Sequence, residues 1–309
     1  MTKDEKIYDL VIIGSGPAGL AASIYASRYK VKHVVIGKEP GGQANEAHQI
    51  ENWPGTHSIS GFDLLQKMRE HAEKLGGQII MDSVSNIAKK DGLFEITTHT
   101  AEYQAKNIIL ALGMEYKKLQ IPGEVEFKGK GVSYCPTCDA SFFKDKIVAV
   151  VGGGNSAGSA ALLLAEYANK VYLIYRGEKL KVDPAYGEKI SANKKIEIIF
   201  STNIKEIKGD KAVEKIILDK EFSDSDELEV QGVFIEIGSE PGVELAGQLG
   251  VETDEQGFIK VNSDQSTNVA GIYAAGDATT GSNKMRQILT AAAEGAVAAG
   301  SVYKKLQTG

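Results

Sequence analysis

Only two cysteines occur in the 309 residues, Cys135 and Cys138, and they stand together as C-x-x-C. A structural disulfide framework uses more cysteines, and a zinc site needs further ligands. The five histidines, His33, His48, His57, His71 and His99, are scattered without ligand spacing, so no metal is expected. No apolar run approaches the ~20 residues that span a bilayer. The charged, polar start at residues 1–6 has neither the n-region nor the h-region of a secretory leader. These absences lead to the expectation of a cytoplasmic protein with no membrane contact. A basic excess is also missing. The 35 Lys and Arg stand against 41 Asp and Glu, for a formal charge of −6. Nucleic acid as the main partner needs a basic footprint and is not expected, whereas a basic protein partner is permitted. Two thiols in a reducing compartment point to chemistry rather than stapling.

What the chain has in quantity is glycine, 34 residues against 7 prolines. That balance suits an α/β protein whose backbone approaches ligands closely at several points. The hydrophobic fraction of 42% supplies proper cores, and the length allows two ordinary domains. Residues 8–13 read as a buried strand, followed by a glycine turn, a helix over 17–29 and a second strand over 33–36. This is a βαβ unit. The pattern returns as a strand over 147–151, the turn Gly152-Gly153-Gly154, a helix over 156–168 and a strand over 170–174. Two such units in one α/β chain suggest two dinucleotides. Short strands are expected at 94–98, 108–110 and 196–200, and an alternating region at 213–218 and 229–237. Residues 271–277 read as a strand ending in a glycine turn, and 285–306 as a closing amphipathic helix. Linkers are expected at 113–118 and 238–243, and a solvated hairpin tip at the acidic run 223–229.

Gly14-Ser15-Gly16-Pro17-Ala18-Gly19 fits G-x-G-x-x-G between strand and helix. The first glycine makes the tight turn, the second admits a pyrophosphate, and the third lets helix and strand pack closely. The helix N-terminus then offers N–H donors and positive dipole character to phosphates. A ribose-binding acid is expected about 20 residues on. Glu39 is the candidate, with a plain surface carboxylate as the alternative. Gly152, Gly154, Asn155, Ser156 and Ala157 form the second cradle, Ala157 standing where the fingerprint allows alanine.

Gly14 to Gly19, Gly41-Gly42-Gln43, Glu51-Asn52-Trp53-Pro54-Gly55, Cys135-Pro136-Thr137-Cys138-Asp139, Gly152 to Ala157, Gly276-Asp277 and Arg286-Gln287 follow one another in this order. Over nearly its whole length the chain thereby resembles the low-molecular-weight thioredoxin reductases. The resemblance implies an α/β fold of two Rossmann-like dinucleotide-binding domains. An FAD domain, residues 1–115 and 243–309, would be interrupted by an NAD(P) domain, residues 116–242, carrying the dithiol. It implies FAD held by the first glycine loop, Gly41, Gly42, Gln43, Asn52, Gly276 and Asp277, with Arg286 and Gln287 completing the late motif. It also implies a homodimer, a thioredoxin-like protein partner, and rotation of one domain against the other about the two linkers.

A C-x-x-C at a helix start places one thiol near the helix N-terminus, which lowers its pKa and raises its thiolate fraction. By resemblance, Cys138 faces the flavin, Cys135 attacks the partner disulfide, and Asp139 handles the thiol proton. Two segments depart from the family: Ala111-Leu112-Gly113 stands where it usually shows Ala-Thr-Gly, which touches the domain junction more than the chemistry, and the other bears on the donor. Where NADPH reductases carry H-R-R-x-x-x-R to clamp the 2′-phosphate, this chain has Tyr175-Arg176-Gly177-Glu178-Lys179-Leu180-Lys181. Arg176 matches. Lys181 keeps the charge but loses the planar fork, and Gly177 removes a charge. The donor is expected to be NADPH or NADH, with a slight lean to NADPH. Ferredoxin or another flavin is the alternative. A feeder of a peroxidase would carry extra N-terminal redox domains, and the paired thiols beside Asp139 speak against a non-catalytic flavin-binding regulator.

Overall fold

The computed structural model describes residues 7–47 and 50–308, so the stretch 1–6 and His48 lie outside the described residues. In chain order come β1 (Ile7–Ile13), α1 (Pro17–Arg28), β2 (His33–Gly37), α2 (Gly61–Lys74), β3 (Gln78–Met81), β4 (Val84–Lys90), β5 (Leu93–Thr98), β6 (Glu102–Leu110) and β7 (Met114–Tyr116). Next are β8 (Val132–Ser133), α3 (Pro136–Asp139), β9 (Ile147–Val151), α4 (Asn155–Tyr167), β10 (Lys170–Tyr175), α5 (Pro184–Ala192) and β11 (Ile196–Phe200). The chain continues through β12 (Ile204–Gly209), β13 (Val213–Phe222), β14 (Ser225–Glu229), β15 (Gly232–Ile235), β16 (Ser239–Pro241), α6 (Glu244–Gln248), β17 (Ile272–Ala274) and α7 (Ile288–Thr308). It forms two compact units. Met1–Glu115 joins Glu240–Gly309 in the first, and Tyr116–Ser239 makes the second. The second crossing thus lies three residues before the expected boundary at 242.

The first unit is built on a sheet in the order β3-β2-β1-β6-β5-β4, with β17 also on β6. β6 pairs with β1 along one side and is long enough to serve two partners on the other. Its early residues pair antiparallel with β5, and Ile108 to Leu110 pair parallel with β17. β1 is apolar from Leu10 to Ile13, where both faces are covered. Leu10 and Ile12 enter a core with Ala18, Ala22 and Ala26 of α1 and Ala298, Ala299 and Val302 of α7. Val11 and Ile13 enter the opposite core with Phe94, Ile96 and Ile259. The buried His33 joins β2 to α1, with Nε2 2.9 Å from Ser23 Oγ and Nδ1 2.9 Å from the Val31 carbonyl. Burial lowers its pKa, which suits a structural ring.

The second unit repeats the plan with the all-parallel order β11-β10-β9-β15-β8. Val148 and Val150 of β9 face α4, and Ala149 and Val151 face a core shared with the antiparallel sheet β12-β13-β14. The chain is therefore α/β with two Rossmann-like units, one inserted in the other.

Several elements differ from the sequence reading. The two expected linkers contain the short strands β7 and β16, which pair with each other. Helix α7 starts at Ile288 rather than 285. Ser282, Asn283 and Lys284 take left-handed φ of 45°, 53° and 57°, which no right-handed helix accommodates, and Thr290 Oγ1 then accepts the Gln287 N–H at 3.2 Å. Helix α2 had no sequence expectation. Its start is fixed by Ser60, whose Oγ accepts the Asp63 N–H at 3.1 Å and donates to Asp63 Oδ2 at 2.7 Å. The acidic run 223–229 is an exposed turn and the outer strand of a hairpin with β13.

Helices α1 and α7 approach closely at one glycine. A Cβ on Gly295 would overlap the Ala18 carbonyl, whereas one on Gly300 would meet nothing nearer than Tyr29 Oη at 3.9 Å. Alanine normally favours a helix over glycine by about 1 kcal/mol. Gly300→Ala is therefore expected to raise the urea midpoint of the flavin-free protein. Gly295→Ala is expected to lower the midpoint, through an overpacking cost of about 1–3 kcal/mol.

Candidate functional site

Two glycine turns, one in each unit, have the same local geometry. In the first, Gly14 has φ 114°, and a Cβ there would overlap the Ala111 carbonyl. A Cβ on Gly19 would overlap the Gly14 carbonyl, so these two glycines let β1, β6 and α1 converge. Gly16 does something else. It is the N-cap of α1 at φ −77°, ψ −172°, no side chain caps the helix, and Pro17 follows. An added Cβ would find only the Gly41 carbonyl, at 3.6 Å. Open space thus lies in front of uncapped N–H groups, the arrangement that receives a phosphate.

The second turn repeats this. Gly152 has φ 148°, and a Cβ there would overlap the Glu236 carbonyl and come 2.9 Å from Ala157 Cβ. Gly154 caps α4 at φ −99°, ψ −174° without a side-chain cap, and a Cβ there would meet nothing within 4 Å.

The remaining first-unit candidates gather around the first turn. Ser15 Oγ donates to the Glu39 carbonyl at 2.7 Å, tying the glycine loop to the segment after β2. The Glu39 carboxylate is exposed, and Gly41 and Gly42 take left-handed φ of 73° and 59° before Gln43 enters a 3-10 turn. Asn52 Nδ2 donates to Gln287 Oε1 at 2.8 Å across 235 positions of sequence. Asp277 lies within reach of the charges of Arg286 and Glu294. Burial pushes its carboxyl up to about 6, with Arg286 pulling it down and Glu294 adding to the rise. Glu294, missed in the sequence, holds this corner. It is 5% exposed, and its Oε2 accepts the Gly276 N–H at 2.7 Å and the Thr279 hydroxyl at 3.1 Å. A charge inside an otherwise apolar helical stretch was the available signal.

Ala18 is packed in the core beneath the loop. An uncapped cradle with open space at Gly16, two left-handed glycines and a half-buried Asp277 within reach of the Arg286 charge fit a dinucleotide such as FAD.

Around the second turn the picture is tighter. Lys181 N–H donates to the Gly153 carbonyl at 2.6 Å, so Lys181 borders the cradle through its backbone. Asn155 is engaged at both ends of its amide. Its Nδ2 donates to Asp183 Oδ2 at 3.0 Å, and its Oδ1 accepts the Asp183 N–H at 2.8 Å. Ser156 is exposed and Ala157 buried. Arg176 is exposed just past the carboxyl end of β10, the edge where α/β sheets bind ligands. A Cβ on Gly177 would lie 2.6 Å from Tyr175 Cε1, so the tyrosine ring crowds the position where the clamp has its second arginine.

Cys135 and Cys138 are joined as a disulfide with their Cα atoms 5.3 Å apart. Cys135 is the N-cap of α3, Pro136 opens the helix, and the Cys138 N–H points at Cys135 Sγ at 3.2 Å. Once the bond opens, that N–H favours a thiolate at Cys135. Cys135 is half-buried, Cys138 exposed and Asp139 half-buried in the same short helix. Among the described residues no helix is long and apolar enough to cross a membrane.

The family model described as pyridine nucleotide-disulphide oxidoreductase matches residues 8–295. The chain belongs to this family. It is 39% identical over 302 residues to the thioredoxin reductase of Bacillus subtilis (strain 168), covering 97% of this chain and 95% of that one. The thioredoxin reductase structure from Lactococcus lactis is 38% identical, covers 96% of this chain and 98% of its own, and superposes with a TM-score of 0.84. A ferredoxin-flavin thioredoxin reductase from Clostridium acetobutylicum is 39% identical over 98% of this chain and 99% of its own, with a TM-score of 0.54.

Membership of the pyridine nucleotide-disulphide oxidoreductases makes the corner around Asp277 a place to test. The carboxyl, at about 6 in the folded chain, exceeds its unfolded value near 3.9. Between these values the folded state binds more protons than the unfolded one, so stability falls as pH rises. Asp277→Asn has no such term. Its stability relative to the parent, both flavin-free, is expected to climb between pH 4 and 6 and to level off above 7. Parallel melting curves across that range would contradict the assignment.

Proposed function

We propose that the chain is a thioredoxin reductase. The observation that carries this is the Cys135–Cys138 disulfide at a helix start in a chain that also holds two uncapped glycine cradles. The first unit is the FAD domain. Gly14, Ser15, Gly16, Gly41, Gly42 and Gln43 line the cradle, and Asn52, Asp277, Arg286 and Gln287 complete its far side. The second unit is the NAD(P) domain, with the dinucleotide at Gly152, Gly154 and the start of α4. Bound FAD supplies two-electron chemistry between a nicotinamide and a disulfide. A homodimer working in the cytoplasm belongs to the same reading through the family resemblance.

On the protein side the chemistry is thiol–disulfide exchange. Two electrons and two protons open the Cys135–Cys138 bond to a dithiol, with Asp139 as the proton-handling group. The Cys135 thiolate, favoured by the Cys138 N–H, attacks one sulfur of the partner's disulfide and expels the other as a thiolate. Cys138 then attacks Cys135 Sγ, re-forms the internal bond and releases the reduced partner.

Cys135→Ser and Cys138→Ser are each expected to abolish reduction of a thioredoxin by the FAD-reconstituted protein. Bleaching of the flavin by its electron donor should survive in both. Full thioredoxin-reducing activity in either variant would refute the relay.

For the donor, NADPH with a slight preference over NADH is the favoured reading, supported by Arg176 and Lys181 at the rim of the second cradle. Arg176 is exposed, and an exposed charge contact is worth at most about 1 kcal/mol. Arg176→Ala is expected to raise the KM for NADPH about fivefold and to leave NADH use unchanged. Bleaching by reduced ferredoxin and by neither nucleotide would favour the second reading, for which the crowding of Gly177 by Tyr175 speaks.

A further inference from the structure

The arm that carries the dithiol leaves the sheet through a thin attachment. Strand β8 has two residues. It pairs with β15 at Val132–Val233 and Ser133–Phe234, and Val132 makes one further bridge, to Lys128. Tyr134, Cys135 and α3 follow at once. What fixes Tyr134 is Glu124, a carboxylate in a loop rich in glycine and charge. Glu124 is 1% exposed, and three donors converge on it. Its Oε1 accepts the Leu119 N–H at 2.9 Å and the Tyr134 hydroxyl at 2.6 Å, and its Oε2 accepts the Gln120 N–H at 2.6 Å. A buried charge with every donor in place is an anchor.

The loop around Glu124 is itself fastened to the unit's core. The Ile207 N–H donates to the Pro122 carbonyl at 3.0 Å, a Cβ on Gly123 would overlap the Ile207 carbonyl, and Phe127 is 3% exposed. The Tyr134 ring stacks on Tyr116 at 5.9 Å between centroids, with Lys128 Nζ 5.8 Å from its own centroid. Burial, together with the Glu124 hydrogen bond and charge, raises the Tyr134 pKa far above its ordinary value, so the hydroxyl keeps its proton across the working range. On the other side of the peptide bond, the Cys135 N–H donates to Ser133 Oγ at 3.0 Å.

We infer that Glu124 and Tyr134 are positioning residues for the dithiol: their hydrogen bond holds the backbone at Cys135 in the conformation that sets its sulfur against Cys138. This rests on the reading of Cys135–Cys138 as the working pair. Tethered at Tyr134, the reduced arm has fewer conformations to surrender when the bond closes. The tether therefore favours the disulfide over the dithiol. By linkage, the disulfide also favours the tether.

The test is equilibration of the full chain, reconstituted with FAD, against buffers of dithiothreitol. One dithiothreitol gives up two electrons and two protons and becomes its cyclic disulfide, and Cys135–Cys138 becomes two thiols. Tyr134→Phe removes one hydroxyl and leaves both backbone donors on Glu124. A hydrogen bond to a charged group is at the strong end for proteins, and its loss is expected to shift the equilibrium about tenfold toward the dithiol. Glu124→Gln, which sets an amide N–H₂ against a donor, is expected to shift it the same way.

A lower melting temperature with the equilibrium within twofold of the parent would make the pair a purely structural contact and overturn the inference. An unchanged equilibrium and melting temperature would overturn it as well. Should a variant fail to fold, the parent decides. The amide protons of Leu119 and Gln120 should exchange faster in the reduced protein than in the oxidised one, and equal rates would overturn the inference. No nicotinamide or thioredoxin enters these measurements. Failure of the proposed function would show as an inactive parent, and failure of this inference only as a variant or redox comparison without a difference.

Discussion

Where β1 turns into α1, and again where β9 turns into α4, backbone passes so close to backbone that a methyl group has no room. The Ala111 carbonyl lies against Gly14, the Gly14 carbonyl against Gly19, and the Glu236 carbonyl against Gly152. This clearance is the constraint from which the rest follows. It lets each helix start directly above the end of its strand, so the first-turn N–H groups converge on one point. No side chain caps either helix, and the missing acceptor is left for a ligand to provide. With a side chain at any of these positions the neighbouring backbone would have to lift away, and the cradle it belongs to would lose its shape.

Much of this architecture was legible from residue types alone, because Leu10 to Ile13 of β1 and the whole of β9 are apolar and covered on both faces. The glycine turns were legible for the same physical reason that makes them necessary. Elements with one wet face were harder. Helix α2 buries only Leu64, Leu65, Ala72 and its first glycine, and its start signal is the pair Ser60 and Asp63. The alternating stretch 229–237 hid a break at Val230 and Gln231, which separates the hairpin strand β14 from the central strand β15. The start of α7 depended on three left-handed residues that no periodicity announces. In the candidate site, the gathering of Asn52, Asp277, Arg286 and Gln287 followed from motif order, whereas the closure of Asn155 onto Asp183 is a contact 28 residues apart that only the fold creates.

Two carboxylates make the same point about charge. Glu294 and Glu124 are each almost wholly buried; Glu294 collects one backbone N–H and a hydroxyl, and Glu124 two backbone N–H groups and a hydroxyl. One holds the turn at Gly276, and the other holds the residue before Cys135. In a sequence, a glutamate in a helix or a loop reads as solvated surface. Once buried, its cost is offset by directional hydrogen bonds, so it fixes the geometry of the donors it holds. Both units thus use a buried anion to fasten the segment nearest their chemistry, and neither glutamate belongs to a recognisable motif.

The places where the chain passes from one unit to the other have a consequence for how such a protein is assembled from parts. Within the first unit, the Gly242 N–H reaches the Gly113 carbonyl at 3.1 Å, and within the second, the Lys117 N–H reaches the Gly238 carbonyl at 3.1 Å. The cut ends of each unit are therefore neighbours. Such a piece behaves as a cassette. The host needs only a short turn to close the gap it leaves, and the excised segment begins and ends at one point on its own surface. A dithiol module of this kind is modular in the genetic sense: it could be exchanged, duplicated or circularly permuted at that seam without either unit having to bridge a new distance.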